Sequence, residues 1–243
     1  DLADPRLSNH HQQVAYLAYR FAEHLGMKNG EKNDIFSAGL IHDVGALSKN
    51  ERLELTEAEP LSVNHHAFRC AKLFKNFLPL KKAAEIVKYH HIPWNGGEGQ
   101  LFSGELVPFS SHILHIADRV CAQIKPGNDI LSQVPSIVGS IAKRSGTVFE
   151  PSLVEAFDQL SRREYIWFDL QSPSPMSRVE LEGNKVLHLG ISDLLEFAGI
   201  MSQIIDFRSE FTARHSAGVA KTAAELARLM RFSKKDVKLI EIA

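Results

Sequence analysis

Apolar residues recur every three or four positions along most of the chain, a spacing that predicts amphipathic helices. In the stretch HQQVAYLAYRFAEHLGM this spacing places these apolar side chains on one face: Val14, Leu17, Ala18, Phe21 and Leu25. The next helix is expected to be capped at its start by Asn33 or Asp34. Further helices are predicted over residues 62–78, 80–91, 109–125, 130–144 and 150–162. The pattern therefore favours an all-α fold.

Turn-forming residues interrupt the helical pattern at a few places. Pro93 ends the helix before it, and the glycine-rich stretch WNGGEGQLFSGE is expected to form a loop. The stretch QSPSPMS, residues 171–177, is the best candidate for a linker. Apolar and polar residues alternate around Gly183-Asn184 in SRVELEGNKVLHL, which predicts a short hairpin. Ser192 is expected to cap a long helix that begins near Asp193.

The chain also contains an internal repeat. The stretch HHQQVAYLAYRFAEHLGM, from His10, resembles HSAGVAKTAAELARLMRF, from His215, with a shared H-x-x-x-V-A spacing. The two stretches are 205 residues apart. The same offset places the counterpart of the His42-Asp43 pair shortly beyond Ala243. We therefore expect the chain to be part of a longer protein that contains a second, truncated copy of the first unit.

The repeat leads to a division of the chain into three parts. Residues 1–186 are predicted to form the first domain, 187–208 a linker helix, and 209–243 the N-terminal part of the second unit. The second unit presents an apolar face that must be covered, because exposed apolar surface is unfavourable in water. We expect this face to pack on the first domain or on a second chain, for example in a homodimer.

Composition narrows the class of protein. Hydrophobic residues make up 44% of the chain and charged residues 23%, as in an ordinary globular protein. The net charge of -1 argues against DNA as a partner, because binding to nucleic-acid backbone needs a strong positive field. The longest apolar runs are far too short to span a membrane. With only Cys70 and Cys121, a disulfide framework is excluded and a reducing, cytoplasmic setting is favoured.

Histidine is unusually frequent, with twelve residues in 243. It is the commonest metal ligand in proteins. Three pairs are adjacent in sequence: His10-His11, His65-His66 and His90-His91. Another histidine is followed directly by an acid, at His42-Asp43 within the apolar run GLIHDVGAL. Neighbouring residues on a helix point about 100° apart, so both side chains can reach one pocket only if other helices close around it.

A further acid, Asp118 in HILHIADRV, lies on the apolar side of its helix. An unpaired carboxylate would be costly there, so a cation or hydrogen-bond donors are expected beside it. Five helices thus each bring one or two groups that are able to bind metal. Imidazole and carboxylate together suit Fe, Mn or Zn, and no thiolate is needed.

The order of these residues resembles that of the HD-domain metal-dependent phosphohydrolases and, within them, the HD-GYP cyclic-dinucleotide phosphodiesterases. The matching stretches are HHQQVA, LIHDVGAL, HHAFRCAKLF, VKYHHIPWNGG, SGELVP and HILHIADRV, between residue 10 and about residue 122. The repeat's RHSAGVA matches the opening motif of the same family, which makes His215 the counterpart of His10. The resemblance implies an HD-type helical bundle followed by the first helices of a second HD-like unit.

The resemblance also implies a site for two divalent metal ions, with Fe or Mn favoured and Zn also suitable. One ion would be held by His10, His42 and Asp118, the other by His66, His90 and His91, and Asp43 would bridge the two. Such a pair of ions binds phosphate and lowers the pKa of a bridging water. The resulting hydroxide would attack phosphorus and cleave a 3′–5′ phosphodiester of a cyclic dinucleotide such as cyclic di-GMP.

Two assignments depend on register. The H-x-x-x-V-A spacing favours His10 over His11, and the small Cys70 four residues on favours His66 over His65. The neighbours His11 and His65 then belong on the helix surface or behind the ligands. His115 has the right spacing to contact Asp118, although a core or surface position is more typical.

Three positions depart from the family pattern. Ala46 replaces the lysine of HDxGK, with Lys49 one turn further on; the GYP signature is absent; and Cys121 stands where an acid is usual. Three interpretations therefore remain: a cyclic-dinucleotide phosphodiesterase, a phosphohydrolase acting on another nucleotide, or a non-catalytic regulatory domain. The complete ligand set favours hydrolysis, whereas Ala46 and the missing GYP favour regulation or another substrate.

Overall fold

The computed structural model describes residues 9–46, 48, 51, 53–55, 64–179, 189–208 and 215–242. Within these residues, the secondary structure is helical apart from one two-stranded hairpin, which confirms the predicted all-α fold. Contacts divide the chain into two compact units. The first comprises Asp1–Lys75 and Leu80–Asn184, and the second comprises Asn76–Pro79 and Lys185–Ala243.

The first unit contains eight helices in its described part. They are α1 (His10–His24), α2 (Asn29–Ile41), α3 (Asn64–Phe74), α4 (Lys81–Lys88), α5 (Phe109–Cys121), α6 (Ile130–Ala142), α7 (Pro151–Ser161) and α8 (Glu164–Gln171). Strands β1 (Leu101–Phe102) and β2 (Glu105–Leu106) pair in antiparallel fashion. Shorter 3₁₀ segments occur at Leu78–Leu80, Asn95–Gln100 and Pro175–Arg178.

Helix α5 lies at the centre of the first unit. Every residue from Ser111 to Cys121 is buried, and α1, α2, α4 and α6 pack around this helix. Helices α1 and α2 approach each other at Gly39, where a Cβ atom would lie 2.4 Å from the Cα atom of Ala15. The two backbones can therefore touch only because residue 39 has no side chain.

The second unit contains α9 (Ile191–Arg208), α10 (His215–Leu229) and α11 (Lys234–Ile242). Its small core consists of Ala224, Ala227 and Val237, with Ile240 packed against it. Helix α10 coincides with α1 in both bounds when the chain is shifted by 205 residues, and the start of α11 coincides with that of α2. These bounds support the repeat. Its identity as a second HD-like unit and the packing of its apolar face stay predictions.

Two predicted helix caps are wrong. Helix α2 begins at Asn29, before Asn33 and Asp34, because the carboxylate of Glu31 accepts the backbone N–H of Lys28 (3.1 Å). Helix α9 begins at Ile191, close to the predicted start, so Ser192 lies inside the helix and is not its cap; the Asp193 carboxylate accepts the N–H of Gly190 (2.8 Å). In both helices an acid inside the first turn reaches back to the chain before it.

The predicted linker at residues 171–177 is also wrong, because this stretch belongs to the first unit and packs on α1. Pro175 is buried, the side-chain amide of Asn9 donates to the carbonyl of Pro173 (3.1 Å), and Ser174 donates to Gln12 (3.3 Å). Most of the hairpin predicted around residues 183–184 lies outside the described residues. The stretch predicted as a glycine-rich loop contains the 3₁₀ segment and the β1–β2 hairpin.

Candidate metal centre

The centre is built around the turn that follows α2. The helix ends at Ile41, so His42 and Asp43 lie in a turn, stabilised by a hydrogen bond from Ala46 N–H to the Asp43 carbonyl (2.9 Å). Both side chains are buried. Turn geometry therefore presents an imidazole and a carboxylate to the same pocket, which consecutive residues inside a helix could not do by themselves.

Gly45 brings α3 onto this turn. A Cβ atom at residue 45 would lie only 2.0 Å from the carbonyl oxygen of His66, so the backbone of α3 rests directly on the turn. The close approach sets Nε2 of His66 3.1 Å from Oδ1 of Asp43. The thiol of Cys70 lies 3.0 Å from the Ile41 carbonyl, on the same buried face of α3. His65 is exposed.

His90 and His91 follow the end of α4, and both are buried. Nδ1 of His90 lies 2.7 Å from the carbonyl oxygen of Val87. Nε2 of His91 lies 3.2 Å from Nε2 of His66. The chain turn after α4 therefore brings two imidazoles up to the ring delivered by α3.

Helices α1 and α5 supply the opposite side. Nε2 of His10 lies 3.1 Å from Oδ1 of Asp118. Nε2 of His42 lies 3.7 Å from the same oxygen and 3.3 Å from Oδ2 of Asp43. The two carboxylates thus flank the His42 ring.

All seven predicted ligands are buried and lie in this one cluster. Among the described residues, candidate ligand atoms within 4.8 Å of one another form two groups. The groups are Asp43, His66, His90 and His91, and His10, His42 and Asp43. Asp43 belongs to both, whereas Asp118 falls in neither and reaches the second through His10 and His42.

Neighbouring basic groups lower the pKa values of the two carboxyl groups in the cluster. Burial alone would raise the pKa of Asp43, but His42 and His66 hold that pKa well below its usual value. Burial likewise opposes charge on Asp118, but Arg119, His10 and His42 lower the pKa of this carboxyl group. Both carboxylates are therefore ionised, as metal ligands must be.

The pKa values of His90 and His42 shift in opposite directions. Burial and the neighbouring imidazoles, first among them His91, hold the pKa of His90 well below its usual value, so that its ring is neutral. Burial would also lower the pKa of His42, but Asp43 and Asp118 raise it to about 10. The surroundings of His42 therefore attract a positive charge, either a proton or a metal ion.

The ring orientations fit metal binding. His42 and His90 each place Nδ1 within hydrogen-bond distance of a backbone carbonyl, that of Gly39 (2.8 Å) and that of Val87 (2.7 Å). Donation from Nδ1–H leaves Nε2 as the ligand atom, the arrangement found around metal-bound histidines. Both Nε2 atoms are buried and make no hydrogen bond. Imidazoles and carboxylates in this proportion suit divalent transition-metal ions.

Three further residues lie beside the ligands. The sequence left the positions of His11 and His115 open, and it did not place Arg119. The ring of His11 lies 5.0 Å from that of His42, and the ring of His115 lies 5.5 Å from that of His91. Arg119 donates from Nε (3.0 Å) and Nη2 (2.6 Å) to Oδ2 of Asp118. An arginine beside an acid on an apolar helix was a usable signal for this pairing.

The departures from the family pattern can be located in part. Ala46 is completely buried and packs against Leu55, so the position of the family's lysine belongs to the interior. Lys49 lies outside the described residues. Cys121 is buried in α5. His215 begins α10, but its side chain lies outside the described part of the chain.

Comparison with known protein families matches residues 1–135 to the HD domain. The chain therefore belongs to the HD-domain family, which confirms the resemblance drawn from its motifs. No helix in the described part of the chain is long and apolar enough to cross a membrane.

The chain is also similar to two curated phosphodiesterases. The chain is 29% identical to 3′3′-cGAMP-specific phosphodiesterase 1 of Vibrio cholerae, over 90% of this chain and 53% of that protein. It is 26% identical to a cyclic di-GMP phosphodiesterase of Thermotoga maritima, over 65% of this chain and 46% of the relative. The chain thus spans about half the length of these relatives.

The fold also resembles a solved structure. A crystal structure of a cyclic GMP-AMP-specific phosphodiesterase from Vibrio cholerae matches with a TM-score of 0.66 at 19% identity. The match covers 96% of this chain and 64% of the other. It confirms the HD-type helical fold.

Proposed function

We propose that the protein is a metal-dependent phosphodiesterase that hydrolyses a cyclic dinucleotide. The observation that carries the proposal is the place of Asp43, which belongs to both groups of candidate ligands. A carboxylate shared between two cation sites is the arrangement that two-metal phosphoryl-transfer centres use. The two relatives, named for cyclic GMP-AMP and for cyclic di-GMP, support the substrate class.

The residues divide into two sets around Asp43. His66, His90 and His91 would hold one divalent ion, and His10 and His42, with Oδ1 of Asp118, the other. When bound, such ions supply charge stabilisation for a phosphate and acidity for the attacking water. Fe and Mn suit these ligands best, and Zn also fits.

Protein groups around the ligands hold this arrangement. The carbonyl of Gly39 orients the ring of His42, and that of Val87 orients the ring of His90. Arg119 donates to Oδ2 of Asp118. In the proposed reaction, water adds to phosphorus and the bond from phosphorus to the 3′ oxygen breaks, which gives a linear dinucleotide. 3′3′-Cyclic GMP-AMP is the first substrate to test, because the relative specific for it matches over 90% of the chain. Cyclic di-GMP is the second.

A regulatory role is the second candidate function, and Ala46 is the observation that favours it. An alanine side chain is a methyl group, so this position supplies no ammonium group to a substrate phosphate. In that role the first unit binds metal and nucleotide without turnover. A cytoplasmic setting agrees with the two free cysteines Cys70 and Cys121 and belongs to the proposal in either case.

The test combines metal analysis with an assay. The purified chain is stripped with a chelator, reloaded with Mn²⁺ or Fe²⁺, analysed for metal and incubated with each cyclic dinucleotide. We expect close to two ions per chain and a linear product, both lost in Asp43→Ala. Asp158→Ala, which removes a half-exposed carboxylate on α7, should behave like the unmodified protein.

The outcomes separate the candidates. Two ions without hydrolysis of either dinucleotide would support the regulatory role or another phosphoester. A chain that binds no metal under these conditions would contradict the centre itself.

A further inference from the structure

A second candidate binding site lies on the outer surface of the first unit. Helices α3 and α4 pack side by side and enclose a groove of about 340 Å³. Its floor is formed by Phe68, Ala71 and Ala84. Four lysines line it: Lys72 from α3, Lys75 directly after α3, and Lys81 and Lys88 from α4. We refer to it as the lysine groove.

The lysine groove faces away from the metal centre. Phe68 lies two residues after the buried His66, and two residues on a helix correspond to a rotation of about 200°. Phe68, Ala71 and Lys72 lie at positions i, i+3 and i+4, and so occupy one face of α3. Cys70 lies on the opposite, buried face. The groove is therefore a separate site. Its two walls are nevertheless α3, which carries His66, and α4, which is followed by His90-His91.

The protein neutralises only part of the positive charge in the groove. Among the described residues, Lys72, Lys75 and Lys81 have no ion-pair partner, whereas Lys88 pairs with Glu105 (2.6 Å). Glu85 is the single acid in the lining. With an overall charge of only -1, the chain has no general positive surplus, so this concentration is local. Such a patch attracts anions.

We infer that the lysine groove binds a nucleoside monophosphate. Its volume suits a small molecule. The ammonium groups would contact the phosphate, and lysine serves as a point charge in many phosphate sites. The aromatic ring of Phe68 and the methyl groups of Ala71 and Ala84 offer an apolar surface for the base. A docked acidic helix fits less well, since the groove wall on α3 covers only about 11 Å.

This site does not depend on the proposed hydrolysis, so the test uses metal-free protein and measures binding directly. 5′-GMP, guanosine and inorganic phosphate are titrated separately into the whole chain in the presence of a chelator, by calorimetry. We expect one molecule of 5′-GMP per chain, with a dissociation constant below about 1 mM. Guanosine and inorganic phosphate should each bind at least about tenfold more weakly, because each lacks one half of the contacts.

Charge variants show whether the bound molecule lies in the groove. Lys72→Glu combined with Lys81→Glu should weaken 5′-GMP binding at least about tenfold. A matched control, Lys143→Glu with Lys235→Glu, changes the net charge equally at exposed positions outside the groove and should bind within about twofold of the unmodified chain. Lys72→Gln with Lys81→Gln repeats the test without charge reversal, in case the first variant folds poorly.

Three results would overturn the inference. They are the absence of saturable 5′-GMP binding, binding that both groove variants leave unchanged, and equal affinity for 5′-GMP and inorganic phosphate. The last would show that the apolar floor takes no part in binding.

Discussion

At the scale of single residues, the two carboxylate oxygens of Asp43 contact different histidines. Oδ1 lies beside His66 and Oδ2 beside His42, so one carboxylate serves both groups of candidate ligands. Asp118 is more restricted, because Arg119 occupies its Oδ2 and leaves Oδ1 for His10. The two acids therefore differ in their surroundings, in line with the bridging role that the resemblance implies for Asp43 alone.

Gly45 is the residue on which the position of His66 depends most directly. In Gly45→Ala the new methyl group would meet the His66 carbonyl at 2.0 Å, so α3 must move away. We expect the free energy of unfolding to fall by about 2–3 kcal/mol, as in other overpacked sites. The metal content should fall as well, because His66 moves with α3.

Gly139→Ala is the control for this variant. Residue 139 lies inside α6, and no atom is within 4 Å of the new methyl group. Alanine there should be neutral or should stabilise the protein by up to about 1 kcal/mol, since it favours helix over glycine. Urea unfolding and metal analysis of both variants provide the comparison. Equal stabilities would show that α3 adjusts to the clash without loss.

At the scale of elements, α8 supports the helix that carries His10. The hydroxyl of Tyr16 donates to Oδ2 of Asp169 (2.6 Å), and the side-chain amide of Gln13 donates to the carbonyl of Leu170 (2.8 Å). Burial and the neighbouring Asp169 raise the pKa of Tyr16, so its hydroxyl keeps the proton that it donates. Residues beyond the family match, which ends at 135, therefore hold α1 in place.

Tyr16→Phe removes this connection and leaves the aromatic ring. We expect the free energy of unfolding to fall by about 1–2 kcal/mol, because the partly buried carboxylate of Asp169 loses a donor. Tyr165→Phe is the matched control, since Tyr165 is 46% exposed and should change stability by less than about 0.5 kcal/mol. Thermal and urea unfolding measure both effects. Similar losses in the two variants would argue against a specific role for the hydrogen bond to Asp169.

At the scale of the whole molecule, metal binding should determine much of the stability of the first unit. The candidate ligands come from α1, from the turns after α2 and α4, and from α3 and α5. An ion that binds only the folded chain stabilises it by about 2.7 kcal/mol at one hundred times its dissociation constant. Two ions bound by elements from across the unit would therefore couple these elements together.

Chelation should accordingly lower the unfolding temperature of the unmodified chain, and Mn²⁺ should restore it. Asp43→Ala should show almost no response to either treatment, because it affects both groups of ligands. His10→Ala and His90→Ala should each keep part of the response, since each affects one group. Differential scanning calorimetry at fixed protein concentration measures these shifts. A full response in Asp43→Ala would mean that the ions bind elsewhere.

Local patterns in the sequence were sufficient for the fold class and for the types of residue in the site. Helical periodicity depends on neighbours three and four positions apart, and the motif order identified the family without any tertiary information. The caps of α2 and α9 were not predictable in this way, since a carboxylate inside the first turn competes with several better-known capping residues. The supposed linker at 171–177 failed for a related reason, because its packing partner is the distant helix α1.

By itself, the sequence determined that this is an all-α chain of the HD-domain family with seven metal-compatible residues in a recognisable order. Only the tertiary structure decided which oxygen of Asp43 faces His66 and which faces His42, that His11 and His115 lie beside the ligands, and that lysines of α3 and α4 meet in one groove. The physical reason is that these relations depend on how helices are rotated and how closely they approach. The close backbone contacts at Gly39 and Gly45 are two such approaches, between residues far apart in the chain.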